Sequence, residues 1–149
     1  MTATIARLEE LLKTVPQRLA DLPDDAAAHK PAPNRWSKKE ILGHLIDSAA
    51  NNHQRFVRVQ STARLEFPGY EQELWVATQA YATASWPDLI DLWLLLNRHL
   101  LHVMKAMPAE VLSHECVIGG RPAVTLKALA AGYLSHVDNH LAQLLADVA

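Results

Sequence analysis

Four long segments of this chain place apolar residues three and four positions apart, and this spacing constrains the fold more than any other feature. In the first segment the apolar positions are Ile5, Leu8, Leu11, Leu12, Val15, Leu19 and Leu22. Such spacing keeps the apolar side chains on one face of an α-helix. No segment shows a comparable two-residue alternation, which is the pattern of a half-buried strand. The sequence therefore predicts an all-α fold.

Capping residues and prolines set the expected ends of the next two long helices. Ser37 is followed three residues later by Glu40, and this capping box predicts that the second long helix begins there. We expect that helix to continue to about Ser61. The third long helix is expected to begin after the cap Ser85 and to end before Pro108.

The fourth long helix is expected to run from the cap Thr125 to near Val148. Between the long helices we expect a loop at residues 23–33, a short helix at 71–81, and at 113–124 a loop that can hold a turn or an extended piece. No repeat or linker divides the chain. The prediction is one domain, residues 1–149, folded as a four-helix bundle with a short extra helix in a connection.

Composition argues against several classes of partner. The net charge is −2, so no basic surface for nucleic acid or for an anionic membrane is expected. No uncharged apolar run is long enough to span a bilayer, and the N-terminus lacks the pattern of a signal peptide. Cys116 stands alone, which excludes a disulfide framework and a cysteine-ligated zinc site. We therefore expect a cytoplasmic protein.

A pair of histidines in the last helix is the strongest candidate for chemistry. His136 and His140 are four residues apart, so their imidazoles share a helix face beside Tyr133 at the edge of the apolar stripe. His44 flanks the apolar stripe of the second long helix. If the bundle brings the two helices together, these three histidines form a site with open coordination positions. Imidazole ligands suit zinc, nickel, copper or iron.

Other interpretations of these residues remain open at this stage. The chain has eight histidines, so one pair four residues apart can arise by chance. His99 and His102 form a rival pair, and for His99 a hydrogen-bonded core or boundary position is the simpler interpretation. Asp47 lies three residues after His44 and could accept a hydrogen bond from an imidazole, or could be a solvated carboxylate. The remaining histidines are interpreted as solvated or structural: His29, His53 and His114.

Three motifs, taken together, resemble those of the DinB-like family. They are residues 36–48 (Trp-Ser-Lys-Lys-Glu-Ile-x-Gly-His-Leu-x-Asp-Ser), 52–56 (Asn-His-x-Arg-Phe) and 133–143 (Tyr-Leu-x-His-x-x-x-His-x-x-Gln). Their order and separations are similar to those of the branch that includes bacillithiol-transferase-like metal-dependent hydrolases. The resemblance implies an up-down-down-up four-helix bundle, often a homodimer.

The resemblance also implies a divalent metal held by His44, His136 and His140. Metals found in the family are zinc and nickel, and in some members iron or manganese. Related members transfer low-molecular-weight thiols or catalyse thiol-dependent isomerisation. The expected function is therefore a metal-dependent enzyme that activates a thiol or water for S-transfer or hydrolysis of a small molecule. A thiol cosubstrate fits because no cysteine of the chain is placed to act as the nucleophile. Asp47 would act from outside the set of residues that bind the metal. The alternative is a non-catalytic bundle that binds a metal or a small molecule.

Overall fold

The computed structural model of the chain describes residues 1–146, and it contains the four long helices that the apolar spacing predicts. The helices are α1 (Thr2–Ala20), α2 (Asp24–Ala28), α3 (Lys38–Arg58), α4 (Gln72–Thr78), α5 (Trp86–Ala106) and α6 (Leu126–Leu144). Single 3₁₀ turns lie at Val59–Ser61, Tyr81–Thr83 and Ala109–Ser113. Helices dominate the structure, so the predicted all-α class is confirmed.

The predicted caps form at the starts of three long helices. The Ser37 hydroxyl accepts a hydrogen bond from the Glu40 amide, and the Glu40 carboxylate accepts one of 2.8 Å from the Ser37 amide. Ser85 and Thr125 cap α5 and α6 in the same way, although without the reciprocal bond. Each cap satisfies backbone donors that have no partner inside the helix, which fixes where the helix begins.

The four long helices form a ring around one core. Helix α3 packs against α5 and α6, and α1 packs against the same two helices. Consequently α1 lies diagonally across from α3, and α5 lies diagonally across from α6. The core contains side chains from all four helices that are at most 1% exposed, among them Leu8, Leu42, Trp93 and Val137. The contact between α3 and α6 is the one that matters for the histidines.

A small three-stranded sheet occupies the connections at one end of the bundle. Strand β1 (Arg64–Phe67) pairs in parallel with β2 (Glu115–Ile118), and β2 pairs antiparallel with β3 (Val124–Thr125). The sequence predicted no strand at 64–67, and only allowed an extended piece in 113–124. Strands this short carry too few residues for a two-residue alternation to stand out. Gly119 and Gly120, with φ of 58° and 71°, make the turn that follows β2, a conformation that favours glycine.

Three further boundaries differ from the sequence prediction. Residues 24–28 form the short helix α2 inside the expected loop, because Asp24 and Asp25 favour a helix N-terminus. The expected helix at 71–81 stops at Thr78, and Ala80 adopts a left-handed φ of 52°. Helix α6 ends at Leu144, and its expected end near Val148 lies outside the described residues.

Among residues 1–146, no helix combines the length and apolar character needed to cross a bilayer.

Candidate metal centre

Helices α3 and α6 bring three histidines to one point inside the bundle. His44 projects from α3, and His136 and His140 project from successive turns of α6. The ring centroid of His44 lies 4.9 Å from that of His136 and 4.9 Å from that of His140, and the two rings on α6 are 4.6 Å apart. Each ring offers one ligand nitrogen within 4.8 Å of the other two. We call these residues the three-histidine centre.

Four of the six ring nitrogens of the three-histidine centre are buried without a hydrogen-bond partner among residues 1–146. Both ring nitrogens of His44, Nε2 of His136 and Nδ1 of His140 are buried and unpaired. His44 is only 1% exposed. Buried polar atoms are nearly always paired in native proteins, since leaving one unpaired costs free energy. One nitrogen from each ring lies within reach of the other two, and this arrangement fits a cation that would bond to one nitrogen of each histidine.

Burial and mutual repulsion hold two of these rings in the neutral form, which is the form that binds metals. Burial, together with the neighbouring His136 and His140, lowers the pKa of His44 to about 4. Burial and His140 likewise lower the pKa of His136 to about 4. Near neutral pH both imidazoles therefore carry a free lone pair, and protons compete little for the site.

The donor set determines what kind of metal the centre suits. Three neutral imidazoles match the ligand preference of zinc and of other first-row divalent ions. A site with three protein ligands leaves at least one coordination position open, which is the pattern of catalytic rather than structural zinc sites. The indole of Trp36, half-buried, lies 5.1 Å from the His44 ring and shields one side of it.

The structure gives Asp47 partners other than the expected imidazole. Its Oδ1 accepts hydrogen bonds of 2.7 Å from the Tyr81 hydroxyl and 2.6 Å from Nε2 of Gln79, while Oδ2 is buried without a partner among residues 1–146. No imidazole of the described chain bonds to it. The segment of Gln79 and Tyr81 packs against α3, and its side chains occupy the carboxylate instead. The pKa of Asp47 is raised by burial and is lowered in part by its two hydrogen bonds.

Gly43 explains how Tyr81 reaches Asp47. A Cβ atom placed on Gly43 would lie 2.2 Å from a ring carbon of Tyr81, so any other residue would displace the ring. The glycine therefore permits the close packing that positions the tyrosine hydroxyl. Within the 36–48 motif, Gly43 thus makes room for the Tyr81 ring and Asp47 accepts its hydroxyl. Together they attach the turn before α5 to α3, beside the three-histidine centre.

A cavity of about 760 Å³ opens next to the three-histidine centre, and His44 and His136 form part of its wall. This volume lies in the range of small-molecule sites. From α3 the wall also contains Ser48, Asn52 and Arg55. The sheet end closes the cavity with Gly69, Tyr70, Cys116, Ile118, Gly119 and Val124. The strands that the sequence did not predict therefore build one side of the cavity.

Ser48, Asn52 and Arg55 were not predicted from the sequence to line a site. They follow His44 by four, eight and eleven residues, which keeps all four side chains on one face of α3. That spacing is the available signal, and it is overlooked when this face of the helix is interpreted only as core packing. Cys116 does line the cavity, but its thiol is buried and burial raises its pKa, so it stays protonated.

The remaining histidines lie apart from the centre. His99 and His102 are exposed on α5, so the core or boundary position expected of His99 was wrong. The half-buried His53 on α3 lies 5.1 Å from His99, ring centroid to ring centroid. We call His53, His99 and His102 the surface histidines. His114 has a structural role, because its Nδ1 bonds to the Val59 carbonyl at 2.9 Å.

Fold and site together define a class: a helical bundle in which two packed helices present three histidines beside a cavity. Residues 7–144 match the DinB superfamily, and the chain belongs to that superfamily. This confirms the resemblance drawn from the three motifs.

One solved structure shares the fold over nearly the whole chain. It is YfiT from Bacillus subtilis, described as a probable metal-dependent hydrolase with an unusual four-helix bundle topology. The TM-score is 0.76 at 18% sequence identity, over 97% of this chain and 85% of YfiT. The likeness supports the four-helix bundle. No curated protein sequence matches the chain.

Proposed function

We propose that the chain is a metal-dependent enzyme in which His44, His136 and His140 hold one divalent cation. The observation that carries the proposal is the set of buried, unpaired imidazole nitrogens converging at the wall of a cavity. The description of YfiT as a probable metal-dependent hydrolase agrees with this proposal. When bound, a divalent cation supplies Lewis acidity that lowers the pKa of a thiol or of water.

The chain's own residues provide the setting for this chemistry. The lowered pKa values of His44 and His136 keep both rings neutral and ready to bind. Trp36 and the bundle core limit water on one side, whereas the cavity admits a substrate on the other. We place Asp47 in a supporting role, since it fixes Tyr81 against α3 rather than orienting an imidazole.

We favour an external thiol over water as the activated group. Cys116 is the chain's one cysteine, and burial holds its thiol in the protonated form. The cavity is large enough for a thiol cosubstrate together with an electrophile. Zinc and nickel are the metals we expect first, with iron and manganese as alternatives. Hydrolysis by activated water is the second form of the same proposal.

The first test is metal content. Protein purified without a nickel column should carry close to one divalent ion per chain by mass spectrometry of the elements. Thiols should then be screened with epoxide, maleyl and haloaromatic electrophiles, with and without a chelator. Turnover that the chelator abolishes supports the enzyme. Bound metal without turnover for any thiol or for water supports the non-catalytic binding bundle instead.

Three further expectations are part of the proposal: a homodimer, a cytoplasmic location and a single domain. Leu92 and Leu95 on α5 offer a candidate surface for the homodimer, since they are 49% and 60% exposed. Light scattering after gel filtration measures the mass in solution. A mass of one chain at micromolar concentration would contradict the dimer.

A further inference from the structure

Arg55 is a buried cation with no charged partner among residues 1–146. Its side chain lies in the cavity wall, and the residue is only 8% exposed. Within the described chain its one hydrogen bond runs from Nη1 to Oδ1 of Asn52, at a long 3.5 Å. Burial accordingly lowers the pKa of the guanidinium, while Tyr70 and Cys116 act more weakly in the opposite direction.

The second buried cation of α3 shows what a satisfied side chain looks like in this protein. Lys39 is 3% exposed, and its Nζ lies 2.9 Å from the Asp24 carboxylate and 2.7 Å from the Ala84 carbonyl. A buried charge costs free energy unless it is paired, and the chain supplies that pairing for Lys39. For Arg55 the described residues do not. A partner for Arg55 would have to come from the contents of the cavity.

The position of Arg55 relates it to the three-histidine centre. His44, Ser48, Asn52 and Arg55 form one polar stripe along α3, and all four line the cavity. Eleven residues separate the first and last of them, a rise of roughly 16 Å along the helix axis. A ligand of moderate length can therefore lie along the stripe with one end at the histidines and the other at the guanidinium.

The charges of the wall indicate the kind of ligand. Apart from the histidines, the charged residues that line the cavity are Arg55, Glu71 and Arg121. Glu71 and Arg121 are exposed at the rim, so the buried part of the wall carries one positive charge. One guanidinium matches one carboxylate, which can accept two parallel N–H bonds from it. A phosphate dianion would need a second buried cation.

We propose that Arg55 binds the carboxylate of an elongated small molecule whose other end reacts at the three-histidine centre. The inference rests on the proposed function for the reacting end, but the carboxylate site is defined by Arg55 alone. It assigns the substrate or the thiol cosubstrate to the class of carboxylates. Asn52 is a positioning residue for Arg55, because its Oδ1 accepts the hydrogen bond that orients the guanidinium.

The test compares two probes that differ only at one end, mercaptooctanoate and mercaptooctanol. Isothermal titration measures both against the zinc-loaded and the metal-free full-length protein. The acid should bind at least about tenfold more tightly than the alcohol in both forms, because a charge-assisted pair replaces a neutral contact. Arg55→Gln should abolish this preference, and Arg55→Lys should retain part of it. Arg98→Gln, an exposed position on α5, should leave the preference unchanged.

Each outcome decides between the two proposals. Equal binding of acid and alcohol, no binding of either, or a preference that survives in Arg55→Gln would overturn the carboxylate site. A preference that persists while zinc leaves thiol binding unchanged keeps the carboxylate site and rejects the thiol-activating form of the proposed metal function. Tighter binding of octyl phosphate than of octanoate would contradict the carboxylate class.

Thermal unfolding completes the test, since an unpaired buried charge predicts that metal-free Arg55→Gln melts no lower than the wild type. A lower melting temperature would make Arg55 a structural residue.

Discussion

The molecule holds two groups of three histidines, and they differ in surroundings more than in spacing. The three-histidine centre joins α3 to α6, and the surface histidines join α3 to α5. Each group pairs one histidine of α3 with two from successive turns of another helix. Ring centroids are 4.6 to 4.9 Å apart in the centre. Between neighbouring surface histidines they are 5.1 and 6.3 Å apart.

Burial is what separates the two groups. In the centre four of the six ring nitrogens are buried and unpaired, and one nitrogen of each ring lies close enough to the others to share one ion. His99 and His102 face solvent, where water satisfies their nitrogens at no cost. Among the described residues only the centre brings three candidate ligand atoms within sharing distance. Histidine spacing alone therefore does not identify a metal site; the helix contact that buries the rings does.

The largest expected effect is on metal affinity. His136→Ala removes one of three ligands and should weaken zinc binding by at least about 100-fold, more than the loss of an outer partner costs. His102→Ala removes a surface histidine from a comparable helical pair and should change zinc affinity by less than about twofold. Competition titration with a chromophoric chelator measures both. Equal losses in the two variants would place the metal outside the three-histidine centre.

The second effect concerns the stability of the metal-free protein in acid. In the unfolded chain a histidine titrates near 6.5, whereas His44 in the folded protein has a pKa of about 4. Between these values the unfolded state binds more protons, so the free energy of unfolding falls as the pH decreases from 6.5 to 4. His44 alone should account for a loss of about 3 kcal/mol over this window.

Urea unfolding at a series of pH values measures this loss. His44→Gln should make the dependence less steep, because glutamine does not titrate, and the remaining slope should reflect the lowered pKa of His136. An equally steep curve for His44→Gln would show that His44 does not cause the acid sensitivity.

The third effect separates Asp47 from the centre beside it. Asp47→Ala removes the shorter of two acceptors from the Tyr81 hydroxyl and from the Gln79 amide, which keep only Gln79 Oε1 at 2.9 Å and the Trp75 carbonyl at 3.4 Å. This loss should lower the free energy of unfolding by about 1–3 kcal/mol. Zinc affinity should stay within about threefold, because no imidazole of the described chain bonds to this carboxylate. Chemical denaturation and zinc competition measure the two quantities on the same variant. A tenfold loss of zinc affinity would restore the outer-partner role that the sequence suggested.

Sequence reasoning predicted the parts of this protein that depend on local rules. Helix faces and caps such as Ser37 follow from neighbouring residues, and the family motifs added the joining of His44 to His136 and His140. The side of α3 that Asp47 faces was not predictable, because it depends on Tyr81 folding back across Gly43. The strands at 64–67 and 115–118 pair although about fifty residues separate them in the sequence, so a local sequence pattern does not predict the pairing. The unpaired state of Arg55 is also a property of the whole fold.

The smallest effect tests whether the surface histidines are inert. His102 is exposed and within the described residues has no ring contact other than His99, so His102→Ala should change the free energy of unfolding by less than about 0.5 kcal/mol. Saturating zinc should raise the melting temperature of this variant as much as that of the wild type, because a ligand stabilises through the sites it occupies in the folded state. Differential scanning calorimetry with and without zinc gives both values. A smaller zinc-induced rise in His102→Ala would show that the surface histidines also bind the metal, and that exposure does not disqualify them.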